Sequence, residues 1–197
     1  MARTVFFSFH YQRDIMRVQV VRNHHVTKGN YASAGFFDGS LEEKAKKDGD
    51  DAVKRLIDQG FGGSTVTCVL IGHETYTRRW VDYEILKSVE MGMGVFGIRI
   101  HQIKDPKTGT DTLGPNPFKF LGYGERDGNK LGPMINYDTG WKNAPYLQNI
   151  ERSAAAYLPA AGGLVLENMF KVYDWVDDNG FENFSDWVES AAELADL

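Results

Sequence analysis

An α/β fold on a parallel sheet is what this sequence predicts, from three observations. Thr4–Phe9 (TVFFSF) and Ser64–Ile71 (STVTCVLI) are β-branched, aromatic or apolar at every position but one serine each, the pattern of strands covered on both faces. Val95–Ile100 (VFGIRI) is a further run of this kind. Helical periodicity fills the intervals, and strand alternating with helix implies right-handed crossovers that place helices on both faces of the sheet.

Each element has its own local cause. Asp14 is placed to cap a helix running to about Asn23, with Ile15, Val18, Val21 and Val26 roughly on one stripe. Residues 24–39 read as a loop with a short strand over Ala34–Phe37. Ser40-Leu41-Glu42-Glu43 forms a capping box, in which the serine accepts from the amide three residues on while Glu43 reaches back. After a break around Asp48–Asp50, the apolar face of Ala52, Val53, Leu56 and Ile57 continues as helix, closed by Gly60 as a C-terminal glycine would close it. The helix Arg78–Met91 follows the second long strand. Four strands of this kind take the flavodoxin-like order 2-1-3-4, whose switch point lies between strands one and three. Ser8–His10 and Gly72–His73 then flank one crevice at the carboxyl ends, where open α/β sheets collect ligands.

Composition bounds the rest. With 197 residues, 42% hydrophobic and 25% charged, the chain reads as one domain, 1–197, with a core of about 1–105. All six prolines lie between Pro106 and Pro159, in a Gly- and aromatic-rich excursion of about 106–160 that is expected to be ordered and packed, because its aromatics need partners. Two C-terminal helices, about Leu164–Val176 and Phe184–Leu194, complete the expectation over 161–197. A net charge of −5 and a pI near 5.5 leave no electrostatic footprint for a phosphate backbone, so nucleic acid is excluded as a partner. Cys68, the single cysteine, reads as a small buried hydrophobe, consistent with a reducing compartment. No signal peptide and no apolar run near the ~20 residues of a membrane span are seen, so a cytoplasmic protein without a membrane partner is expected.

Several motifs fail on context. Gly92–Gly97 spells GxGxxG but leads into a strand, whereas a dinucleotide fingerprint follows a strand and opens a helix. Gly60, Gly62 and Gly63 lack the Lys-Ser/Thr of a phosphate loop. His24-His25 has no ligand at metal spacing, so no metal is expected. Ile71-Gly72-His73 offers no nucleophile elbow, and neither strand one nor strand three ends in the acid of a phosphoacceptor.

What remains is Trp80 and Glu84, four apart in RRWVDYEI, and so on one helix face beside the carboxyl end of a strand. A flat ring beside a lone acid suits chemistry on a nucleotide's sugar. Trp80 can stack on a ligand or pack the helix. Glu84 can act on a substrate or pair at the surface with Arg79 or Lys87.

These residues carry a resemblance. Thr4–His10 is similar to the first strand and following loop of TIR domains, and Val69–Gly72 through Thr77, Trp80 and Glu84 to their third strand and WxxxE helix. FFSFHY, TCVLIG, RRWVDYEILKS, GPNPFKFLGY and KVYDWVDDNGFENFSDWV, in order over essentially the whole chain, resemble the TIR-like ThsB subunits of the bacterial Thoeris anti-phage system. The resemblance implies a TIR fold and cleavage of the nicotinamide–ribose bond of NAD, a substrate rather than a cofactor. It also implies an ADP-ribose-derived signal, a cyclic isomer or a conjugate, that diffuses to a separate defence effector. Glu84 carries the catalytic role; Ser8, Phe9, His10, Asp38, Thr77 and Trp80 take substrate-binding roles, with Asp38 able instead to begin the turn before Ser40. A homo-oligomer or an assembly triggered by a phage protein is implied as well. The chemistry agrees: nicotinamide is already cationic in NAD and leaves neutral, so one carboxylate that steadies the oxocarbenium-like sugar suffices, where ordinary glycosidases need a pair. A non-catalytic TIR adaptor and a nucleoside deoxyribosyltransferase-like enzyme are the rival readings.

Overall fold

A computed structural model describes residues 3–27, 32–34, 47–138, 140–155, 157–158 and 163–197. The core is a parallel sheet of β1 (Thr4–Phe9), β2 (Ala32–Ala34), β3 (Val66–Ile71), β4 (Gly94–Arg99) and β10 (Val172–Asp174), in the order β10-β4-β3-β1-β2. The expected 2-1-3-4 order is present, extended by one strand. β2 begins two residues before the expected strand, and Gly35–Phe37 lie outside the described residues, as does the capping-box helix at Ser40.

Alternation along β1 decides what each face receives. Val5 and Phe7 point to the side packed by α1 (Tyr11–Thr27) and α4 (Gly180–Leu194), joining Val18, Val21, Phe184 and Trp187. Phe6 points the other way, into a cluster with Val53 and Ile57 of α2 (Asp50–Gly60) and Trp80 of α3 (Arg79–Glu90). Period two therefore sends Ser8 to the α3 side. Cys68 is fully buried on the α1/α4 face, where burial pushes its thiol well above the ordinary range.

The excursion forms a second, antiparallel sheet. β5 (Leu121–Arg126) and β6 (Lys130–Ile135) make a hairpin whose turn places Gly128 at φ 72° and Asn129 at φ 61°, the left-handed region that these residue types tolerate. β7 (Lys142–Asn143) and β8 (Ile150–Glu151) pair with β6, and β9 (Leu164–Val165) pairs with β5. This sheet rests on the outer side of α3, where Leu121, Tyr123 and Leu131 meet Val81, Ile85 and Leu86. The Tyr123 hydroxyl donates to the Leu86 carbonyl at 2.8 Å.

Three expectations need correction. Leu164–Val176 is not a helix: it contains β9, a short 3-10 turn and β10. Its apolar residues at helical spacing are divided between two layers, Leu166 and Phe170 entering one cluster and Tyr173 and Trp175 the other, and Val172-Tyr173 alternates across the sheet edge as a strand must. One C-terminal helix follows, starting at Gly180. Asp14 is not a cap but the fourth residue of α1, its amide bonded to the His10 carbonyl at 3.1 Å, because the helix begins directly after β1. Gly60 is the last helical residue of α2, and the left-handed position is Gly63 at φ 76°. Among the described residues no helix is long and apolar enough to cross a membrane.

Candidate active site

Glu84 sits in the second turn of α3 with its side chain turned toward the sheet. The residue is 5% exposed and its Oε2 accepts from the Ser8 Oγ at 2.5 Å, with Ser8 itself fully buried. The surface alternative is excluded by geometry. Arg79 engages Asp50 at 2.9 Å, and Lys87 engages Glu90 at 2.7 Å. Removing a carboxylate from water disfavours its charged form, so burial raises the Glu84 pKa to about 8, against which the Ser8 hydrogen bond pulls it down. The helix turn is pinned too: Ser88 Oγ donates to the Glu84 carbonyl at 2.7 Å and meets Thr67 Oγ1 of β3 at 2.7 Å.

The other predicted residues take varied positions. Phe9 is half-buried, its ring 6.3 Å from that of Tyr11, and His10 is buried at the head of α1. Trp80 is 3% exposed and packs edge-on to Tyr83 at 6.1 Å and beside Tyr146 at 5.8 Å, with the Arg79 guanidinium 4.5 Å over its ring. In this arrangement it fills the layer between α2, α3 and β1. Thr77 is exposed and donates to the Glu74 carbonyl at 2.7 Å. Asp38 lies outside the described residues.

A polar network not foreseen from the residues lies at the carboxyl ends of β1 and β3. Asp14 is fully buried against Gly72, so closely that a Cβ on Gly72 would collide with its carboxyl group. Burial is the leading cause that raises Asp14 to about 6, opposed by Arg17, whose guanidinium stands 3.5 Å away and is 2% exposed. Arg17 also donates to the carbonyls of Ile103 (3.1 Å) and Gly109 (2.9 Å). Arg13 forks onto Asp111 at 2.9 and 3.0 Å and reaches Glu74 at 3.0 Å. This network straps the start of the excursion over the end of β3, where Gly114 is pressed onto the Gly72 and His73 carbonyls with no room for a Cβ. Asp14 and Arg17, three apart just after a strand, were the legible part of this signal; Asp111 is too distant in sequence to be foreseen.

The family model described as Thoeris protein ThsB, TIR-like domain, matches residues 6–105, from β1 past β4, and so includes Ser8, Trp80 and Glu84. The chain is also 47% identical over 194 residues, covering 95% of itself and 100% of the relative, to a protein of Bacillus cereus (strain MSX-D12) named "Putative cyclic ADP-D-ribose synthase ThsB1". The chain belongs to the Thoeris ThsB family of TIR-like proteins. The ThsB family match ends where the strap begins, whereas the likeness to the Bacillus cereus relative runs on through the excursion and β10.

Proposed function

We propose that this ThsB-family chain cleaves the nicotinamide–ribose bond of NAD and lets a nucleophile within the same ADP-ribosyl unit capture the sugar, releasing a cyclic ADP-ribose isomer. The name of the 47% identical relative supports the product class. The observation that carries the chemistry is Glu84, a carboxyl group removed from water, with no basic partner among the described residues, and aimed by a serine.

In the step, the bond from ribose C1 to the pyridinium nitrogen breaks and its electron pair goes to that nitrogen, so nicotinamide leaves neutral. Positive charge builds on C1 and the ring oxygen, where the ionised Glu84 steadies it. A pKa near 8 leaves a minority of Glu84 ionised at neutral pH, and the cationic nicotinamide of the arriving substrate shifts that balance toward the carboxylate. An adenosine nitrogen or hydroxyl then supplies the electron pair that closes the ring, its proton passing to solvent where it has one. A site that excludes water favours this closure over hydrolysis. Ser8, Phe9 and His10 at the end of β1, with Thr77, Trp80 and Asp38, bind the dinucleotide in this reading. An assembly of several copies, induced by a phage component, completes the site, and the product acts on a separate effector.

The test is incubation with NAD, with and without lysate of infected cells, following nicotinamide by chromatography and the ADP-ribosyl product by mass spectrometry. Wild type releases nicotinamide and a product one water lighter than ADP-ribose; Glu84→Gln does neither. Silence under every triggering condition selects an adaptor instead, and turnover of free nucleosides but not NAD selects a deoxyribosyltransferase.

A further inference from the structure

Away from Glu84, a cavity of about 370 Å³ opens between the outer face of α3 and the excursion. Arg79, Tyr83 and Leu86 come up on one side of the helix at spacings of four and three, with Asp82 among them and Tyr76 from the 3-10 turn just before it, and Ile135, Tyr137 and Leu147 stand opposite. Asp82 and Glu84 are two positions apart on a helix, hence about 200° around its axis, and neither Glu84 nor Ser8 lines this space.

The polar content is concentrated at one point. Asp82 is 9% exposed, and its Oδ1 accepts from the Tyr137 hydroxyl at 2.6 Å, the one hydrogen bond its carboxyl group makes among the described residues. Burial raises Asp82 to about 7, so near neutrality it offers both an O–H donor and a C=O acceptor. The walls around it are flat and held in place. Tyr137 stacks on Phe120 with centroids 5.0 Å apart and planes 16° apart, and Tyr76 meets the same ring at 5.5 Å.

Charge narrows the occupant. The Arg79 guanidinium already lies 5.6 Å from the Tyr146 ring and is paired with Asp50, so the cation–π position on that wall is taken. With Arg79 neutralised by Asp50 and Asp82 itself acidic, an anion finds no counter-charge. An uncharged planar ring remains, and the volume falls in the range of about 300–1,000 Å³ typical of small-molecule sites.

We propose that this cavity is a second small-molecule site, taking an uncharged purine-sized nitrogen heterocycle whose neighbouring N–H donor and ring-nitrogen acceptor pair with the Asp82 carboxyl group between tyrosine walls. The proposal stands apart from the NAD reading, because Asp82 and the tyrosines that carry it are given no role there; Thr77, at the edge of the same cavity, is the one residue the two share.

The experiment is titration of the full chain with adenosine by calorimetry, with intermolecular NOEs to locate the ligand and purine riboside, which lacks the exocyclic amine, as the comparison. Adenosine is expected to bind with NOEs to the methyls of Leu86, Ile135 and Leu147, and purine riboside to bind about tenfold more weakly, the worth of one well-made hydrogen bond. Asp82→Leu should weaken adenosine by at least about tenfold, Asp82→Asn, which keeps a donor and an acceptor, should retain it, and Glu84→Gln should leave it unchanged. No binding at millimolar adenosine, NOEs to Trp80 instead, loss in Glu84→Gln, or indifference to Asp82→Leu each overturns the proposal. If Asp82→Leu does not fold, the adenosine against purine riboside comparison on wild type decides.

Discussion

Removing the Ser8 hydroxyl changes one thing around Glu84, the hydrogen bond of 2.5 Å that favours its ionised form in a site closed to water. A bond to a charged acceptor contributes about 1.5–3 kcal/mol, and each unit of pKa corresponds to about 1.4 kcal/mol. Ser8→Ala should therefore move Glu84 from about 8 upward by about one to two units. At pH 7 the ionised fraction drops from about a tenth to about a hundredth or less, so kcat/KM for nicotinamide release falls at least about tenfold. The acid limb of the profile moves alkaline and the rates converge with wild type as pH rises. The assay is kcat/KM from pH 6 to 10, with circular dichroism at each end to confirm folding. A uniform loss at every pH would mean that Ser8 acts on the substrate directly and not through Glu84, and an unmoved acid limb would refute the reasoning outright.

The remaining predictions concern stability. Because Glu84 is raised from 4.5 to about 8, the folded state keeps a proton that the unfolded chain has released, and the associated stability is full below pH 4.5 and lost as pH rises through 8. Glu84→Gln should thus raise Tm at pH 8.5 by the equivalent of a few kcal/mol and change little at pH 4.5, as read by scanning calorimetry. Arg17→Met leaves Asp14 buried without its counter-charge and unties the Ile103 and Gly109 carbonyls, so urea unfolding should show a loss of about 3–5 kcal/mol. Gly114→Ala forces a Cβ into the Gly72 and His73 carbonyls, and should cost about 1–3 kcal/mol with faster amide exchange confined to the strap around Ile103–Asp111.

How much of this was legible depends on how far apart the causes lie. β1, β3, β4 and α3 were visible because each carries its own pattern within ten residues or so, and the parallel order followed from their alternation. Glu84 was visible through its spacing from Trp80 and its place after β3, but its bond to Ser8 joins residues 76 apart and depends on the register of β1 against β3, with Ser8 opposite Val69. The β5–β6 hairpin had a local signal, Asp127-Gly128-Asn129, but Gly122, Gly124, Gly132 and Pro133 in its two strands lower their strand propensity and mask it. β10 had a misleading one. Its flanking apolar residues imitate a helix, and only the open edge of β4, where Val172 pairs with Gly97, decides for strand. Asp82 was illegible, since its partner Tyr137 is 55 residues away and an acid among apolar helical neighbours reads equally well as a solvated position.

α3 itself explains why the excursion is grafted where it is. Every residue from Trp80 to Leu86 is buried, which an amphipathic surface helix never shows and which requires cover on both sides. The sheet covers one side and the excursion the other, through Tyr123 on the Leu86 carbonyl and Tyr137 on Asp82. Desolvating Glu84 is costly, and the apolar packing of Val81, Ile85 and Val89 on the same helix offsets it. A helix enclosed in this way cannot swing its carboxylate toward a substrate without breaking those contacts. In the proposed reaction the sugar is therefore carried to Glu84, which places the burden of induced fit on the elements at the carboxyl end of β1 and leaves α3, held in place by the excursion behind it, as the fixed wall against which the ribose is oriented.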